Sequence, residues 1–141
     1  MTYLIGWGSD DSQPTGQHEA AVDNVEDLDA VLDRVERAGV AQMVDIVPAG
    51  DDHDVPYGLQ IGVGPVQRSF AVYVGEPAGG LGYDPRLPDW PSSGTFDYGG
   101  EPTEYGPDWL RLTPTQVREV AREYVRTGQR PTCVSWRSGP P

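Results

Sequence analysis

The residues best suited to chemistry in this chain are few. Its histidines are His18 and His53, its one cysteine is Cys133, and all ten basic residues are arginine. A transition-metal site needs three or four soft or imidazole ligands at set spacing. The one tract that gathers candidates is 51–54, Asp-Asp-His-Asp, which sits between strand-like runs and brings no second histidine. It reads as a solvated acidic turn. Neither this tract nor the acids of 27–33 alternate oxygen ligands around a central glycine with a closing glutamate, so no calcium loop is expected. A serine nucleophile wants a Gly-x-Ser-x-Gly elbow and a histidine base, and Ser92, Ser93 and Ser135 have neither. Cys133 has no base beside it in sequence, lies in an apolar context and is expected to pack. The glycines of 79–82 lack the leading strand, following helix and lysine of a phosphate loop. With 22 acids some carboxylates must lie close together. A small hydrolase built on a dispersed acid pair therefore stays open, although surface pairing is the ordinary fate of such groups. The expectation is no catalytic residue, no metal, no cofactor and no enzyme.

Recognition chemistry is better represented. Residues 84–109 interleave acids with aromatic rings, the composition of protein interfaces, in which rings supply buried area and carboxylates supply steering. The candidate partner-binding residues are Asp84, Asp89, Trp90, Asp97, Tyr98, Glu101, Glu104, Tyr105 and Asp108. Any one ring is equally suited to closing the core of a Pro-rich loop.

These residues need a scaffold, and hydrophobic periodicity outlines one. Alternating or apolar runs bounded by turn residues predict strands over residues 2–7, 42–47, 57–63 and 68–74, with polar residues 9–19 as a loop. In the third of these runs Tyr57, Leu59, Ile61 and Val63 share one face opposite two glycines and Gln60, so one face is expected to be core and the other lighter. A first helix is expected after Asn24, with Val25, Leu28, Val31, Leu32 and Val35 at helical spacing and Gly39 as its stop. Thr113-Pro-Thr-Gln116 is a capping box with proline at the first helical position, so a second helix should run to about Thr127. Residues 95–98 and 132–136 read as further short strands. The result is an α+β unit: an antiparallel sheet of about five to six strands carrying two amphipathic helices, one domain over residues 1–141. Eighteen glycines and fourteen prolines place much of the rest in turns.

Charge narrows the partner. The formal net charge is −12, and residues 1–110 hold 20 acids against 4 arginines whereas residues 111–141 hold 2 against 6. A field this negative repels nucleic acid and attracts a basic protein surface. Solubility alone would explain the same excess. The start of the chain has no basic flank and no long apolar run, so no signal peptide or membrane span is expected. With a single cysteine, a reducing cytoplasm is the expected compartment.

The run from Leu112 to Trp136 carries a capped helix, then Thr127-Gly-Gln-Arg-Pro131 and a strand ending in tryptophan. It resembles the ending of the first numbered family of polymorphic-toxin immunity proteins. The stretch 70–74, Phe-Ala-Val-Tyr-Val, and the turn Tyr98-Gly-Gly-Glu101 are similar to that family's middle section, so the likeness covers roughly the last half of the chain. The resemblance implies a cytoplasmic antidote encoded beside a secreted toxin that is often a nucleic-acid deaminase. Such a toxin presents a cationic groove to its substrate, which an acidic, aromatic surface can occupy. The chain lacks the His-x-Glu and Pro-Cys-x-x-Cys zinc signature of a deaminase, so it would be the inhibitor. The alternative is an acidic adaptor unrelated to toxins.

Overall fold

The computed structural model describes residues 1–10, 16–50, 58–75 and 79–138. The chain runs through β1 (Tyr3–Trp7), β2 (His18–Val22), α1 (Val25–Arg37), β3 (Gln42–Pro48), β4 (Gly58–Val63) and β5 (Ala71–Val74). It continues through β6 (Gly80–Tyr83), β7 (Gly94–Tyr98), β8 (Glu101–Tyr105), α2 (Pro114–Thr127) and β9 (Ser135–Arg137). The sheet order is β2-β1-β3-β4-β5-β6-β9, antiparallel throughout, and the β7–β8 hairpin branches off β3 through a single parallel pairing of Gln42 with Asp97. The class is α+β.

Both helices form where their caps dictate. The Asn24 side chain accepts from the Asp27 N–H at 2.8 Å. Thr113 and Gln116 exchange hydrogen bonds at 3.2 and 2.9 Å, which satisfies two backbone donors at the start of α2. Gly128 closes α2 with φ of 72°, the left-handed conformation in which glycine has no Cβ penalty.

Period-two alternation sends Tyr3, Ile5, Val44, Ile46, Leu59, Ile61, Ala71 and Tyr73 to one face of the sheet. There they bury with Leu28, Leu32 and Val35 of α1 and Val117, Val120 and Tyr124 of α2. The other face divides in two. Toward β5 and β6 it carries a second core of Met43, Phe70, Leu81, Phe96, Tyr105 and Leu110. The Phe70 ring stacks on Tyr105 at 4.4 Å and meets Phe96 edge-on at 5.1 Å. The lighter face expected from the glycines of β4 is therefore a space filled by rings: a Cβ on Gly62 would lie 2.7 Å from Phe96 and 2.9 Å from Phe70. Toward β2 and β1 no described residue covers the same face.

Six strands are near their expected positions, and three more were not anticipated. β2 is His-Glu-Ala-Ala-Val, poor in strand-forming residues, and begins inside the expected 9–19 loop. Pairing with β1 forms it, from Tyr3 opposite Val22 to Trp7 opposite His18. β6 is glycine-rich and β8 contains Pro102. That proline is tolerated because β8 pairs only with β7 and so lies at an edge. The expected strand at 68–74 begins its ladder only at Ala71, because the Ser69 backbone pairs instead with Leu112, its N–H donating to the Leu112 carbonyl at 2.8 Å, and Arg68 turns its buried guanidinium to the carbonyls of Leu110 and Pro88. Tyr57 and the 51–54 tract fall outside the described residues.

Gly62→Val should destabilise the fold by about 1–3 kcal/mol through overpacking between the rings. Urea unfolding followed by tryptophan fluorescence would show it, and an unchanged midpoint would contradict the two-core account.

Candidate functional site

On the helix face Asp29, Asp33 and Glu36 of α1 are answered by arginines of α2. Arg118 of α2 reaches Asp33 and Glu36 of α1 at 2.9 Å each, and Arg122 reaches Asp29 at 2.9 Å and Glu119 at 2.5 Å. Arg118 and Arg122 thus clamp α1 to α2, and the basic C-terminal stretch offsets part of the charge of the acidic first helix. Behind α1, the buried Asp10 carboxylate accepts from Arg34 at 2.8 Å and from the Trp7 indole N–H at 3.1 Å. His18 stacks on Trp7 with ring centroids 5.5 Å apart.

The candidate interface residues separate into two groups. Asp97, Tyr98, Glu101, Glu104 and Tyr105 belong to the β7–β8 hairpin, and Asp84, Asp89, Trp90 and Asp108 lie on the connections around it. The hairpin turn, Tyr98-Gly-Gly-Glu101, holds Gly99 at φ 61° and Gly100 at φ 96°, the two positive angles a two-residue strand reversal requires. Asp97 accepts the Gly100 N–H at 3.1 Å and so braces that turn. Glu101 and Glu104 are exposed and have no ion pair among the described residues, and Tyr98 is 48% exposed at the tip. Two of the nine are interior. Tyr105 is buried in the second core with its hydroxyl 3.9 Å from Met43 sulfur. Asp84 is buried and accepts from Gln116 Nε2 at 2.7 Å and the Arg86 N–H at 2.9 Å, which ties β6 to the start of α2. Trp90 is half-buried under the Arg68 guanidinium, 4.9 Å from its ring. Asp89 is exposed opposite Arg111, and Asp108 is exposed while its carbonyl accepts from Arg137.

Beside the hairpin tip, the open half of the sheet forms a groove of about 380 Å³ lined by Leu4, Gly6, Asp45, Val47, Gln60, Val74 and Tyr98, with Glu19 at one end. Register places Glu19, Gly6, Asp45 and Gln60 side by side across four strands. An adjoining hollow continues past Gly6, Asp45 and Tyr98 to Gln17 and His18. Leu4, Gly6, Glu19, Asp45, Val47, Gln60 and Val74 are additions to the sequence-level candidates. One signal pointed to them: Asp45 interrupts the apolar run 43–47, which leaves a carboxylate on a strand whose neighbours are core.

A family model for the immunity protein Imm1 matches residues 16–138, most of the chain. The chain belongs to the Imm1 immunity protein family. No curated protein matches it. Membership gives this Imm1 protein an antitoxin role and a cognate toxin as partner. No helix among the described residues is long and apolar enough to cross a membrane.

The titratable groups of the Imm1 chain differ in their surroundings. Cys133 is exposed rather than packed, and partial desolvation together with the nearby Glu123 pushes its thiol up to about 11. That is the opposite of an activated nucleophile. Among the described residues no group of three or more potential ligands gathers for a metal; His53 and its neighbours fall outside them. Asp84 is held below the usual carboxylate range by hydrogen bonds from Arg86 and Gln116. Such a group contributes stability above its unfolded value, and the contribution disappears as pH falls through the folded one. Asp45 behaves oppositely. Burial pushes its carboxyl up, and a hydrogen bond from Gln60 only partly offsets that. Ionised Asp45 therefore costs folding stability, and the cost appears as pH rises past the ordinary carboxylate range. Asp45→Asn should unfold at equal or higher urea than the native chain at pH 7, with the difference shrinking toward pH 4. A lower midpoint at pH 7 would contradict this reading of Asp45.

Proposed function

We propose that this Imm1 protein is a cytoplasmic antidote, acting as one unit over residues 1–141. Its partner on this reading is a nucleic-acid deaminase toxin, whose cationic substrate groove it covers with its acidic, aromatic face. The supporting observation is the division of charge. Asp29, Asp33 and Glu36 of α1 are paired with α2, whereas Glu101 and Glu104 project without an ion pair among the described residues beside the exposed ring of Tyr98. A deaminase binds a polyanion, so its groove must be basic, and it must hold an extruded base in a pocket that an aromatic ring can enter.

In this reading the exposed members, Asp89, Tyr98, Glu101, Glu104 and Asp108, meet the partner. Asp97 and Trp90 shape the surface, and Asp84 and Tyr105 hold it in place from within. Steering by unpaired carboxylates accelerates encounter by one to three orders of magnitude at low salt and weakens as salt screens it. Bound this way, the antidote and nucleic acid compete for one groove.

Co-expression with the toxin encoded beside it should restore host growth. Glu101→Lys with Glu104→Lys should slow association by roughly tenfold at low salt and weaken rescue, with the thermal midpoint unchanged because both side chains are exposed. A toxin that holds nucleic acid and this protein at once would rule out groove blocking. Failure of the native chain to bind or rescue would favour the acidic-adaptor reading.

A further inference from the structure

The open half of the sheet has a shape that the hairpin alone does not explain. Across the strands, Gly6 of β1 stands between Glu19 of β2 and Asp45 of β3. Neighbouring strands are about 4.8 Å apart, so the two carboxylates flank a gap of about two strand spacings with no side chain in the middle. A Cβ on Gly6 would meet nothing closer than the His18 carbonyl oxygen at 4.0 Å, and Gly6 is not among the positive-φ glycines. Neither packing nor backbone conformation demands glycine there. Among the described residues nothing fills the space above it.

The walls of that space differ in kind. Leu4 and Val47 pair across β1 and β3, and Val74 lies beyond them on β5, giving an apolar floor on one side of the Glu19–Gly6–Asp45–Gln60 row. Tyr98 stands at the rim. Four large hydrophobic side chains are exposed among the described residues, and two of them, Val74 at 39% and Tyr98 at 48%, line this groove. No lysine or arginine lines it, and neither Glu19 nor Asp45 has an ion pair among the described residues. Asp45 is the group for which a cation matters most, since its burial disfavours the charged form.

We infer that the groove over Gly6 is a socket for one arginine side chain of the cognate toxin, with the guanidinium between Asp45 and Glu19 and the aliphatic stem along Leu4 and Val47. Arginine fits better than lysine. Its planar head can bridge two carboxylates and stack on the ring of Tyr98, whereas an ammonium is a compact point charge that keeps its water. The chain's net charge of −12 draws such a side chain in. The inference rests on the antitoxin reading and adds to it a second, structured contact beside the steering hairpin.

A plug at Gly6 tests it. Binding of the full chain to the toxin domain encoded beside it would be measured by calorimetry for native, Gly6→Leu and Asp45→Asn proteins. Thermal midpoints and sedimentation would be recorded for each. Gly6→Leu fills the socket without a backbone clash and should weaken binding roughly 100-fold while the midpoint holds. Asp45→Asn should weaken binding comparably while the midpoint holds or rises, which separates a binding role from a structural one. Replacing the toxin's surface arginines one at a time by lysine should reveal one whose loss costs affinity in the native background and not with Asp45→Asn. Native affinity in both Gly6→Leu and Asp45→Asn would overturn the socket and leave the antitoxin role standing, as would the lack of any arginine coupled to Asp45. A native homodimer split by Gly6→Leu would assign the groove to a second copy and overturn the inference. If the native chain forms no complex at all, the proposed function falls and the socket with it.

Discussion

Strand β3 is the constraint on which the rest of the molecule depends. It pairs with β1, β4 and β7, so three separate parts of the chain take their register from it. Its first residue, Gln42, is fully buried, and its side-chain amide does the work of a backbone: it accepts from the N–H groups of Gly8 and Ser9 at 3.0 and 2.9 Å and donates to the Ser9 carbonyl at 2.8 Å. A buried amide left without these partners would cost a few kcal/mol. One residue earlier, the Ala41 carbonyl accepts from Asp97 N–H at 2.8 Å and fixes the base of the hairpin that presents Tyr98. Alternation then assigns each side chain a task. Val44 and Ile46 enter the helix-side core, Met43 enters the aromatic core, and Asp45 is left in the open groove. A slip of one residue would exchange those faces, so core burial and the position of the groove are fixed together.

Charge follows the same division of faces. On the helix side Arg118 and Arg122 of α2 answer Asp29, Asp33 and Glu36 of α1, and burial of Arg118 between them sharpens the pairing: desolvation alone would lower its pKa, but Glu36 and Asp33 raise it on balance. Such pairs position helices more than they stabilise the fold. On the far side Glu19, Asp45, Glu101 and Glu104 have no ion pair among the described residues. An antitoxin gains from this arrangement, because paired charges contribute little to long-range attraction while unpaired ones steer encounter.

Much of the scaffold was legible because its signals are local. The Asn24 and Thr113 caps, the apolar stripes of both helices and the alternation in β1 and β4 are short-range patterns, and each matches the structure. What was not legible depends on partners distant in sequence. β2, β6 and β8 have weak strand composition and exist because β1, β5 and β7 offer them a ladder. Phe70 and Tyr105 are 35 positions apart, and only the fold shows that their stacking converts a glycine-lined sheet face into a core. For the same reason the composition of residues 84–109 flagged the hairpin and also Asp84 and Tyr105, which are interior. The pairing of Glu19 with Asp45 across Gly6 needs three strands in register before it is visible. The family resemblance was readable where the capping box and the closing motif lie close together in sequence.

The most direct test of the account is a hydrogen-exchange footprint of this protein alone and bound to its cognate toxin. Binding through the open face predicts slowed exchange in β1, β2 and the β7–β8 hairpin, with the amides of α1 and α2 little changed. Protection confined to the two helices, with β1 and the hairpin unaffected, would contradict it.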